Sequence, residues 1–183
     1  MPISASRGTR IVNDLLRKGL IKVYELNLCG RGRSIKLLEL TDKAYEAINA
    51  EPKPGIGRGA GFVHGFCAQY FAGQVKGIEG VKNTTIEGRV INKSVDVLIE
   101  TEQERIGIEI AMSAVHEKVN IAKDLSAGLA KVFIACNNKA VQEEVRKVVD
   151  AFGPVVRDRI KICLIHQIIG EVESYVKQRR NNG

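Results

Sequence analysis

The stretch VDVLIETEQERIGIEIAM, residues 95–112, decides how the chain is read. It predicts two strands joined by a polar turn through Thr101–Gln103, and each strand carries one acid where an apolar residue is easier to bury. In IGIEIAM, Ile106, Ile108, Ile110 and Met112 share one face, while Gly107, Glu109 and Ala111 share the other, because strand side chains alternate. In SVDVLIE, Val95, Val97 and Ile99 face one way, and Asp96, Leu98 and Glu100 the other. Adjacent strands of this parity bring Asp96 and Glu109 to one open edge. A half-buried carboxylate costs several kcal/mol unless paired or metal-bound. Two readings stand: a cradle for a divalent cation, or partners for nearby Lys, Arg or solvent at the sheet edge.

Outward from this hairpin, the body spans residues 62–183. FVHGFCAQYFAGQVK is a helix whose apolar stripe is Phe62, Phe66 and Tyr70. VKNTTIEGRV is a strand bent at Gly88. VHEKVNIAKDLSAG is a helix ending at Gly128, and AKVFIAC is a short apolar run typical of a buried parallel strand. KAVQEEVRKVVDAF, RIKICLIHQI and IIGEVESYVKQ add a helix, a strand and a helix. An antiparallel trio continued by βα units is an α/β domain with a mixed sheet flanked by helices.

The whole chain has 183 residues, 44% apolar and 27% charged, which is enough for one good core and typical of a globular protein. No apolar run approaches the ~18 residues of a membrane span, so no membrane partner is expected. The four cysteines are scattered without a CxxC pair, and three lie in apolar runs. That usage points to a reducing, cytoplasmic setting. His64, His116 and His166 show no HxxxH or Cys/His spacing, so no zinc site is expected. His64 could donate to a phosphate or act as a base; it could equally be a helix residue with a local hydrogen bond.

Net charge is +7, and the surplus sits at the front. A basic front on a nearly neutral body suggests contact with a polyanion. Residues 4–19 form a helix with Ile11, Val12, Leu15 and Leu16 on one face, and with Arg7, Thr9, Arg10 and Asn13 turned outward. LIKVYEL and SIKLLEL are strands joined by NLCGRGR, and TDKAYEAI is a helix capped by Thr41. AEPKPGIGRGAG, residues 50–61, reads as a linker. Its spaced glycines follow no apolar strand and match no GxxxxGK[ST], so they do not bind nucleotide phosphates.

The order helix, strand, Gly/Arg-rich tip, strand, helix resembles the second half of a winged helix-turn-helix domain. The match runs through SRGTRIVNDLLRKGLI, CGRGR and LLELTDKAYEAI. The resemblance implies a recognition helix presenting Arg7, Thr9, Arg10 and Asn13 to DNA, and a wing carrying Arg31 and Arg33. Guanidinium groups on a glycine-rich loop suit phosphate or a narrow groove. The helices that normally precede a recognition helix are missing, so a larger protein or complex, or a second copy, is expected to supply them. The alternative is a hairpin that serves as a packing or dimer surface. The expected organisation is residues 1–49 as a winged-helix-like segment, 50–61 as linker and 62–183 as the α/β domain.

The body, with acids on its second and third strands, resembles the PD-(D/E)XK nuclease core, the restriction-endonuclease-like fold. The resemblance implies Mg²⁺, or Mn²⁺ in its place, held by Asp96, Glu109 and the carbonyl of Ile110. The implied reaction is metal-dependent hydrolysis of DNA phosphodiesters. The family's lysine, two residues after the second acid, is here Ala111, and its helix glutamate is replaced by Val63 and His64. Lys123 is the expected stand-in, on a helix face with Glu117 and Asn120; the alternative leaves it a solvated helix residue. The reading from a different class is a non-catalytic DNA-binding module, or an accessory domain of a larger DNA-processing machine, that keeps the fold.

Overall fold

The computed structural model describes residues 5–28, 34–52, 61–90, 93–115, 120–121, 124–125 and 128–181. Helix α1 (Ala5–Arg17) leads to strands β1 (Ile21–Leu26) and β2 (Ile35–Leu40), then to α2 (Asp42–Ala47) and α3 (Phe62–Val75). Strands β3 (Val81–Val90), β4 (Lys93–Thr101), β5 (Arg105–Ala111) and β6 (Lys131–Cys136) follow. The chain ends with α4 (Lys139–Asp150), the one-turn α5 (Pro154–Arg157), β7 (Ile160–Leu164) and α6 (Ile168–Asn181). Between β5 and β6, residues 120–121 and 124–125 are helical.

β1 and β2 form a separate antiparallel pair. The main sheet has the order β3-β4-β5-β6-β7. β3, β4 and β5 are antiparallel neighbours, while β5, β6 and β7 run parallel. It is the α/β mixed sheet flanked by helices that the strand order predicts. The RIKICLIHQI strand is shorter than the sequence suggests. β7 stops at Leu164 because the Gln167 side-chain oxygen accepts from the Leu164 N–H at 2.9 Å and turns the chain into a helix. α5 was not legible as a helix; Pro154 in its first turn starts it.

Two apolar clusters cover the two faces of the main sheet. The first joins Val97, Ile99, Ile106, Ile108, Ile110 and Phe133 to α3 and α6. The second joins Leu98, Ala111, Val132, Ile134 and Cys136 to Ile121, Leu129 and α4. Parity along β5 is as the sequence predicts. Along β4 it is not: Val95 belongs to the second cluster with Leu98, and Val97 to the first. The break falls at Asp96. Across from it, between the pairs Ile86↔Val97 and Gly88↔Val95, Glu87 adopts a left-handed φ of 49°. Gly88 then lies so close to Leu98 that a Cβ would stand 2.3 Å from the leucine's own.

The apolar stripe of α3 also differs from the reading. Its buried side is Gly65, Cys67, Ala68, Phe71, Ala72 and Val75, whereas Phe62 is exposed. The helix is apolar nearly all round, so periodicity alone does not select a face. Its small residues let the backbone approach the sheet, and the aromatic rings flank that contact: Phe66 stacks on Tyr70, and Phe62 meets Tyr24 of β1 at 5.9 Å.

Leu26, Leu28 and Leu37 of the hairpin region enter the first cluster, so the hairpin and the main sheet share one core. Thr41 ties the small unit together: its hydroxyl donates to the Gly19 carbonyl at 2.8 Å and accepts from the Ala44 N–H at 3.3 Å as the α2 cap. Ile11 and Leu16 of α1, Leu38 and Leu40 of β2, and Ile48 after α2 stay exposed. Among the described residues no helix is long and apolar enough to cross a membrane.

Candidate functional site

The β4–β5 ladder runs from Glu100↔Arg105 to Val97↔Ile108. Beyond it the Asp96 side chain replaces a backbone acceptor: its Oδ2 accepts from the Ile110 N–H at 2.8 Å. The kink at Glu87 and Asp96 is what frees this carboxylate from ordinary strand alternation. A strand residue points its N–H and C=O the same way, so the Ile110 carbonyl also faces the β4 side.

His64, in the first turn of α3, brings Nε2 to 3.0 Å from the same Asp96 oxygen. Both side chains are about four-fifths buried, at 20% and 21% exposure, so the contact is shielded from bulk water. An ionised carboxylate only accepts, so the imidazole Nε2 carries a proton in this contact. The site is therefore built from α3, β4 and β5, with His64 and Asp96 as its side chains. His64 lies two residues off the aromatic stripe of α3, and only the packing of that helix against the kinked strand gives it this place.

Glu109 lies elsewhere on the strand. Its parity is that of Gly107 and Ala111; it stands beside Ile134 of β6 and is only 4% exposed. That face is the second cluster, opposite the side on which α3 packs. Ala111 is fully buried there. Asp124 is the other buried acid among the described residues, at 2% exposure. The sequence reading passed over it, although its spacing from Ile121 and Leu125 puts it on their inward side.

A divalent cation can be weighed against these residues. The 3.0 Å between His64 Nε2 and Asp96 Oδ2 is a hydrogen bond, so that nitrogen is directed at the carboxylate and not at an ion. Asp96 and the Ile110 carbonyl are then the oxygens this edge offers a hard cation. No group of three or more His, Cys, Asp or Glu able to hold a metal occurs among the described residues. Two oxygens leave most of an octahedral shell to water. The set does not make a closed protein cage.

At the front, Arg7, Thr9, Arg10 and Asn13 are all exposed on α1. Val12 and Leu15 are half-buried. Asp14 is held by Arg17 at 2.7 Å and Lys18 at 2.8 Å, and hydrogen bonds from these two cations, Lys18 first, keep its carboxyl below the usual range. On the hairpin, the Tyr24 hydroxyl donates to Glu39 at 2.6 Å, which pushes the phenol up. The wing residues Arg31 and Arg33, the stand-in Lys123 and its neighbour Glu117 lie outside the described residues, as do residues 53–60 of the expected linker. Compared with known proteins, the chain matches no family model and no curated protein.

Proposed function

We propose that the chain is a DNA-interacting protein with a PD-(D/E)XK nuclease-like body that hydrolyses DNA phosphodiesters with a divalent cation. The observation that carries this reading is the Asp96 carboxylate, set at the end of the β4–β5 ladder between the Ile110 N–H and His64. Asp96 and the Ile110 carbonyl would hold the ion, with His64 orienting the Asp96 carboxylate; Glu109, buried on the opposite face, lies away from it. When bound, Mg²⁺ or Mn²⁺ would supply an acidified water and offset charge on the leaving oxygen. The basic exposed face of α1 supports DNA contact through Arg7, Thr9, Arg10 and Asn13. Ile11, Leu16, Leu38 and Leu40, exposed among the described residues, support a partner, or a second copy, over the front.

A second reading has its own observation. Ala111, where the family carries lysine, is fully buried and offers no ammonium, which favours a non-catalytic DNA-binding module. Incubation of plasmid, linear, single-stranded and branched DNA with Mn²⁺ or Mg²⁺, beside Asp96→Ala and His64→Ala, separates the two. Cleavage by the wild type alone supports hydrolysis. DNA binding without cleavage supports the second reading. Absence of DNA binding under any salt condition ends both.

A further inference from the structure

The N-terminal end of β4 and the C-terminal ends of β5, β6 and β7 lie along one edge of the sheet. In open α/β sheets ligands gather outside the carboxyl ends of the strands. At the β6–β7 end of this edge, a cavity of ≈ 340 Å³ opens between the hairpin and the sheet; Glu25, Asn27, Asn137, Asn138, Lys139 and His166 line it. It adjoins the strand that bears Asp96's partner, because the Asn137 N–H donates to the Ala111 carbonyl at 3.1 Å.

The lining is set for an anion. Its one acid, Glu25, is met by Lys36 at 3.4 Å. The first turn of α4 is closed by the Asn138 side chain, which accepts from the Val141 N–H at 3.0 Å, so the helix end is already occupied. What remains is the ammonium of Lys139, exposed, and the half-buried imidazole of His166. Neither makes an ion pair or side-chain hydrogen bond among the described residues, unlike Lys147 on the same helix, which pairs with Glu144 at 2.8 Å. The rest of the lining, Leu26, Leu164 and Ile165, is apolar and offers no counter-charge; two nitrogen-bearing side chains on one cavity, without a partner among the described residues, suit a phosphate.

We propose that this cavity is a backbone-phosphate subsite for the nucleic-acid strand held at Asp96. The inference rests on the DNA reading above and names where that strand runs. Asp96 and His166 are three strands apart, about 14 Å at roughly 4.8 Å per strand. Successive phosphates of one strand lie roughly 6–7 Å apart, since each 3.4 Å of rise comes with a turn about the axis, so the phosphate held here lies about two nucleotides from the one at Asp96. The strand then crosses the carboxyl ends of β5 and β6 beneath the hairpin.

The test is anisotropy of a labelled duplex and a labelled single strand, titrated with the full chain over a range of salt and without divalent metal. The variants are Lys139→Ala, His166→Ala, their combination, and Lys147→Ala as a control of equal charge. Losing Lys139 should weaken binding about five- to ten-fold and make the log K against log salt line shallower by about 0.9 on duplex. Lys147→Ala should match the wild type. If the double variant binds like the wild type while the wild type binds DNA, the subsite is overturned and the DNA reading survives. Equal weakening by Lys139→Ala and Lys147→Ala also overturns it, because a diffuse field then explains the loss. A wild type that binds no DNA removes the proposed function itself.

Discussion

Ala111 shows how one residue limits the chemistry. It is fully buried, on the same face as the buried acid Glu109. Ala111→Lys is therefore expected to destabilise the fold by roughly 1–3 kcal/mol through overpacking; chemical denaturation checks this. His64 is expected to act on the site more than on the fold. His64→Gln should keep the wild-type melting temperature without metal; under the proposed function Mn²⁺ raises the wild type's melting temperature through Asp96, and the variant should gain less, since a ligand that binds only the folded state raises its stability. The buried thiols give a pH prediction. Burial pushes Cys67 up to about 11 and Cys163 up to about 12. The folded state thus holds protons that the unfolded chain releases above about 9, so these thiols contribute stability below that pH and lose it as pH rises towards 11–12. Lys131, whose ammonium burial pushes down, pulls the other way over the alkaline range. Alkylation of Cys67 and Cys163 by iodoacetamide should be slow at pH 8 in the folded protein and fast in denaturant.

At the scale of elements, the kink shared by β3 and β4 is what makes the site. Had β4 alternated strictly, Asp96 would lie on the face of Leu98, away from α3. The left-handed Glu87 and the close approach of Gly88 to Leu98 reset the strand just before the carboxylate. Gly107 holds the other side of the same region. A Cβ there would stand 2.7 Å from Leu129 and 2.9 Å from Val95. Gly107→Val is accordingly expected to cost about 1–3 kcal/mol by overpacking and to disturb the β4 kink, visible as a lowered midpoint in urea denaturation. This part of the design was only half legible. The acids and their strands could be read from period and composition, but the kink could not, because it follows from contacts between Gly88, Leu98, Val95 and Gly107 that are distant in sequence.

For the molecule as a whole, the hairpin matters through the core it shares. Leu26, Leu28 and Leu37 pack with Phe71, Val75, Ile108 and Val176 in one cluster. Phe71→Ala, at a fully buried position, should cost about 3–5 kcal/mol and weaken the hairpin as well as the main sheet. A probe on Tyr24 and far-ultraviolet circular dichroism should then report the same unfolding midpoint. Ile11, Leu16, Leu38 and Leu40 have the opposite standing: the described residues leave each of them exposed.

The sequence by itself determined the α/β class, the antiparallel trio followed by parallel strands, the parity of β5, the Thr41 cap and the exposed basic face of α1. These are local properties: alternation, helical period, capping chemistry and turn residues act within a few positions. It could not determine which side of α3 is buried, because that helix is apolar nearly all round. Nor could it show that Glu109 is buried on the face opposite α3 while Asp96 turns to His64. Only the tertiary structure decided that, since the direction of a side chain at a kink depends on what packs against both faces of the sheet at once.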